Sequence, residues 1–155
     1  MDVSDIYLDM CKTATVIQKE HVIQAWDYYY GSKISKFCDS NPRIFVVSDY
    51  TTDGGVYGLG IEKSEQEDYE LICWLPRQDQ LQEIISDKHN ILDHKLINMF
   101  NLFYFQNPGS NKLNHYVKQF DSMEQLWLAL VMKEKYNMTW WWECWAEKQT
   151  NEQEN

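Results

Sequence analysis

The chain is poor in arginine. Of its fourteen Lys and Arg residues, two are Arg (Arg43 and Arg77), set against twenty-four Asp and Glu, so the formal net charge is −10. Arginine supplies the two-pronged donor that grips phosphates and guanine edges. A nucleic-acid binder normally carries a basic patch or stripe. None is present, which argues against direct nucleic-acid binding. No run of about 18 apolar residues exists, so no membrane-spanning helix is expected. The first residues, Met1-Asp2-Val3-Ser4-Asp5, lack the basic and apolar regions of a secretory signal. The four cysteines (Cys11, Cys38, Cys73 and Cys144) form no C-x-x-C pair and no zinc-ribbon spacing. Together these absences make a reducing cytoplasm the expected compartment, with Cys11 and Cys73 as small core residues.

What the chain has in quantity is aromatic side chain: seven Trp, ten Tyr and six Phe among 155 residues. These rings bury large areas and also anchor protein interfaces. The length fits one domain, expected over residues 1–146 with a disordered polar tail over 147–155. The expected class is α+β: an antiparallel sheet of about four to five strands packed against three to four helices.

The segment 71–85 organises that expectation. Leu71 to Leu75 is a short apolar run typical of a buried strand. Pro76 ends it, because proline donates nothing to a ladder and suits a helix start. Leu81, Ile84 and Ile85 then share one helical face. Before this hinge the chain reads mostly as strands: 26–30, 43–49, 56–61 and 69–75. The Asp53-Gly54-Gly55 turn lies among them, and short turns favour a meander. Gly58 and Gly60 suggest a bulge. A helix is expected at 3–19, from Val3, Ile6, Tyr7, Met10, Ala14 and Ile17, capped by Asp2 or Ser4. After the hinge, helices are expected at 76–87, 91–104 and 122–136, although 102–105 also suits a strand. In the last helix, Ser122 and Gln125 form a capping box. Met123, Leu126, Trp127, Leu130 and Val131 form one stripe, and Asn137 is a left-handed cap. Met138–Ala146 reads as one strand, with Trp141, Glu143 and Trp145 on one face and Trp140 and Trp142 on the other.

Three stretches resemble a group of small uncharacterised proteins encoded by phages and prophages of Firmicutes. They are Tyr7-Leu8-Asp9-Met10-Cys11 with Ile17-Gln18, then Trp74-Leu75-Pro76-Arg77-Gln78-Asp79-Gln80-Leu81-Gln82, and Ser122-Met123-Glu124-Gln125-Leu126-Trp127-Leu128-Ala129-Leu130-Val131-Met132-Lys133-Glu134 leading into a Trp-bearing end. The resemblance implies a phage or prophage origin and the host cytoplasm. It implies no activity. The 31–42 loop and the Trp140-Trp141-Trp142 run depart from the pattern.

Catalytic and metal chemistry find little support. Asp87, His89, Asp93 and His94 are metal-ligand types, but His89 and His94 are five apart and lie on different helix faces. Cys38, Asp39 and His115 carry no nucleophile motif, and the glycines match neither the Walker nor the dinucleotide fingerprint. No catalytic residue, metal or cofactor is expected. Arg77 and Gln78 start the hinge helix, where its dipole favours an anion; pairing of Arg77 with an acidic neighbour is the plainer role. Trp141 and Trp145 are the leading binding residues, toward a host or phage protein or a second copy of the chain. A Trp-rich core is the plainer account of both. The leading expectation is an accessory protein that acts by protein–protein binding. The alternatives are a small enzyme with a site assembled from loops, an acidic nucleic-acid mimic and a homodimeric structural protein.

Overall fold

A computed structural model describes residues 1–33, 43–50, 56–59, 69–90, 93–105 and 113–147. The class is α+β, with five α-helices and two antiparallel sheets among these residues. The chain divides into two compact units at the hinge, Val3–Pro76 and Arg77–Asn155, the second also holding Met1–Asp2.

In the first unit, helix α1 spans Asp5–Thr13 and α2 spans Thr15–Glu20. Ser4 caps α1, its Oγ accepting from the Tyr7 N–H at 3.3 Å. The single helix expected over 3–19 is broken at Ala14, whose ψ of 55° leaves the helical region. Tyr7, Met10, Cys11, Ala14 and Ile17 are buried, whereas Val3 and Ile6, expected on the same stripe, are exposed. Strands β1 (Tyr28–Lys33), β2 (Arg43–Tyr50), β3 (Val56–Leu59) and β4 (Tyr69–Leu75) form one antiparallel sheet in the order β3-β2-β1-β4. The expected meander holds for the first three strands, but β4 returns to pair with β1, which makes a Greek key. A nine-residue link, 60–68, precedes β4, long enough for a return that short turns do not permit. The irregularity foreseen at the β3 glycines falls on the facing strand, between Val47 and Asp49 opposite Gly58 and Tyr57. Helix α1 packs on β4, and the Tyr7 hydroxyl donates to the Pro76 carbonyl at 2.5 Å. Gln18 reads the Trp74 backbone with both ends of its amide: Oε1 accepts from N–H at 2.7 Å and Nε2 donates to the carbonyl at 2.9 Å.

In the second unit, α3 (Gln78–His89) follows Pro76, ends at Asn90 in the left-handed region and buries Leu81 and Ile85. Helix α4 (Asp93–Tyr104) continues to the bridge that Phe105 makes with Leu113, so 102–104 is helix. Helix α5 (Met123–Tyr136) is the core element. Ser122 caps it, Asn137 ends it with φ of 55° and ψ of 34°, and every residue from Gln125 to Met132 is buried. That is more than the one stripe the spacing predicts, while Met123 at its start is exposed. The capping box is also rearranged. Gln125 Oε1 takes the Asp121 N–H at 3.0 Å, and its Nε2 donates to Asp2 at 2.8 Å. Helix α3 packs on α5, and Lys88 Nζ donates to the Glu134 carbonyl. Strand β5 (Met138–Trp141) lies against α5 and pairs with β6 (Cys144–Glu147) as a separate hairpin. The single Trp strand expected over 138–146 is therefore folded back on itself. The other residues of the expected tail (148–155), most of the 31–42 loop with Cys38 and Asp39, and the Asp53-Gly54-Gly55 turn lie outside the described residues.

Candidate functional site

The β5–β6 hairpin is built around its turn. Trp142 and Glu143 both adopt positive φ, 49° and 64°, as a two-residue turn of the I′ kind requires. Asn and Gly occupy such turns readily; a Trp-Glu pair does not, so the backbone here holds two bulky residues in a costly region. The register sets Trp140 opposite Trp145 and Trp141 opposite Cys144. Trp140 is buried and meets Trp145 edge-on, with centroids 5.1 Å apart at 61°. Tyr116, ahead of α5, accepts the Trp140 N–H at 2.8 Å through its hydroxyl, and burial pushes that phenol up to about 12.

The outcome differs from the strand reading. Trp141 and Trp145 do not share a face, because the turn at Trp142 and Glu143 reverses the chain between them. Trp145 is half-buried against Trp140. Trp141 is 57% exposed, and Trp142, which sequence reasoning did not single out, is 85% exposed at the tip. Three consecutive Trp were legible as a run, but the turn was not, since no Gly, Asn or Asp marks it.

Arg77 and Gln78 lie at the start of α3. Arg77 is the N-cap residue, and Gln80 accepts its backbone N–H at 2.9 Å. Its guanidinium grips Asp79 two-pronged, Nε to Oδ1 and Nη2 to Oδ2 at 3.0 Å each. That bond holds the Asp79 carboxyl below the usual carboxylate range and occupies the guanidinium within the chain. Gln78 is partly exposed. Asp87 and His89 close α3 and His94 opens α4, while the Asp93 side chain is not described. Among the described residues no group of three His, Cys, Asp or Glu side chains is placed to hold a metal ion.

The first unit contains a cluster that the sequence did not reveal. His21 Nε2 lies 2.8 Å from Oδ2 of the fully buried Asp27, and the Gln24 N–H donates to the same oxygen at 2.7 Å. A carboxylate only accepts, so Nε2 carries the imidazole proton. The ring lies flat on Trp74, centroids 3.5 Å apart at 3°. Burial pulls the His21 pKa below 6.5, opposed by the bond to Asp27. Trp26 N–H donates to the Val47 carbonyl at 2.6 Å, and the Val47 N–H donates to the Asp27 backbone carbonyl at 2.8 Å. Trp26 thus sits at φ of 72° with its side chain exposed. A His oriented by a buried carboxylate is half of a nucleophile-activating relay. The Tyr29 ring lies 6.3 Å from the imidazole, and burial together with Asp27 pushes its phenol well above the usual range, so that hydroxyl stays protonated. The neighbouring Cys73 thiol is pushed up to about 11 by burial and stays protonated. The hydrogen bonds of the cluster tie the 21–27 loop to itself and to Val47.

These features define an α+β protein with a Trp-tipped hairpin on one unit and a hydrogen-bonded loop on the other. No family model matches the chain, and neither a curated protein nor a solved structure does. No helix among the described residues is long and apolar enough to cross a membrane.

Proposed function

We propose that the protein is a phage- or prophage-encoded accessory protein that works by binding another protein, and that the β5–β6 hairpin is its docking element. The observation that carries this reading is the exposure of Trp141 and Trp142 at a turn whose backbone is fixed by paired strands. Exposed Trp is rare at a surface without a partner, and it is the residue most enriched among the anchors of protein interfaces. A hairpin tip presents it with little ordering cost. Trp145 contributes from behind, by holding Trp140 and the strand pair in register. Arg77 and Gln78 are outside this role.

The test is affinity capture from a bacterial host lysate, with the Trp141→Ala/Trp142→Ala double variant and a Gln78→Ala variant run beside the unaltered chain. Binding through the hairpin is supported by a retained protein that disappears with the double variant and persists with Gln78→Ala. A retained set that the double variant leaves unchanged sinks the hairpin reading.

A further inference from the structure

We infer that the hairpin tip binds cationic side chains, so that its partner presents an Arg- or Lys-bearing segment. The inference rests on the docking role proposed above and adds the chemistry of the occupant. Trp141 and Trp142 are exposed, and the indole is the aromatic ring that attracts ammonium and guanidinium groups most strongly. Neither ring has an aromatic or cationic partner among the described residues. The chain's own lysines already use this chemistry elsewhere: Lys133 and Lys135 at the end of α5 sit 5.3 and 5.2 Å over the rings of Phe103 and Tyr136, and Lys12 sits 4.7 Å over Tyr30.

Charge points the same way. Between Met138 and Glu147 there is no Lys, Arg or His, and Glu143 stands in the turn beside Trp142. Glu143 adds a carboxylate next to Trp142 in the chain, and the whole molecule, at −10, draws cations toward it. An apolar partner would gain the rings but would have to face Glu143 uncompensated. An acidic partner would meet repulsion from both the turn and the chain.

The register supplies an internal control. Glu147 belongs to the same hairpin, but it lies opposite Met138, on the face of Trp140 and Trp145 rather than that of Trp141. Removing its charge changes the net charge as much as removing that of Glu143, without touching the tip.

The experiment is fluorescence anisotropy with a labelled hexa-arginine peptide, and with hexa-glutamate as the counter-probe. Far-UV circular dichroism on every variant confirms that it is folded. The unaltered chain is expected to bind hexa-arginine and to ignore hexa-glutamate. Trp141→Ala/Trp142→Ala is expected to lose about tenfold in affinity, as two exposed cation–π contacts would. Glu143→Gln is expected to lose about threefold, and Glu147→Gln to bind as the unaltered chain does. Equal losses for Glu143→Gln and Glu147→Gln would reduce the attraction to net charge and overturn the inference, as would full affinity in the double Trp variant or no binding of hexa-arginine. If lysate capture still depends on Trp141 and Trp142 while hexa-arginine fails to bind, the docking role stands and the cationic partner falls. If both dependences vanish, both fall.

Discussion

At the scale of single residues, His21 converts solution pH into loop stability. Burial lowers the His21 pKa from 6.5 in the folded chain. The folded state therefore prefers the neutral ring, and the stability that this gives is complete above pH 6.5 and is lost as pH falls below it. Thermal melting from pH 7.5 down to 5.0 should show a falling midpoint, with a shallower slope in His21→Gln, which keeps a donor and does not titrate. An identical slope in both chains would remove His21 as the cause. Tyr116 makes a comparable single contact. Tyr116→Phe leaves the Trp140 N–H without its acceptor, at a cost of about 1 kcal/mol. It should also weaken the near-ultraviolet circular dichroism of the Trp140–Trp145 pair. Chemical denaturation and the near-ultraviolet spectrum check the two parts separately.

At the scale of elements, the hairpin turn sets stability against the docking role proposed for it. Trp142 and Glu143 occupy positions that Asn and Gly fill with less strain. The Trp142→Asn/Glu143→Gly variant should be more stable by about 1 kcal/mol in urea denaturation, and, under the docking role proposed above, should retain no protein in lysate capture. A variant that gains stability and keeps binding would show that the tip side chains are dispensable. This turn also marks where the sequence stops being legible. Ser122, Asn137 and Pro76 announced the ends of α5 and the start of α3, because caps and proline act through local backbone chemistry that a few residues carry. The Trp142–Glu143 turn carries no such mark, since tertiary context holds two residues in conformations they do not favour. The same is true of Asp27. Its burial depends on His21, Gln24 and the Val47 backbone meeting in space, and Lys19-Glu20-His21 read only as the fading end of a helix. Sequence spacing found α5 but understated it, because a helix buried from Gln125 to Met132 has no polar face to reveal. Trp141 was legible as an exposed candidate by composition; which of its neighbours shares its surface was decided by register.

At the scale of the whole molecule, charge dominates behaviour in solution. With a sequence pI near 4.7 and a net charge of −10 at pH 7, charge repulsion between copies is strong at neutral pH and fades on acidification. Solubility should pass through a minimum near pH 4.7, which light scattering across pH 4 to 7 measures; a minimum displaced by a full unit toward neutrality would point to self-association through another force. The acid limb of such a series overlaps the His21 transition, and His21→Gln separates the two, because it removes the loop effect and leaves the carboxylates unchanged.

The Greek key has a consequence during synthesis. Strand β1 is flanked by β2 and β4, and its pairing with β4 joins Tyr28 to Leu75 and Lys33 to Tyr69. As the chain leaves the ribosome, β1 and β2 emerge well before β4, so one edge of β1 has no strand to bind while some forty residues more are translated. An open strand edge recruits whatever strand arrives first. Slow decoding between Lys33 and Tyr69 would lengthen that interval, and fast passage through this stretch would shorten the time in which neighbouring nascent chains can join by the wrong edge.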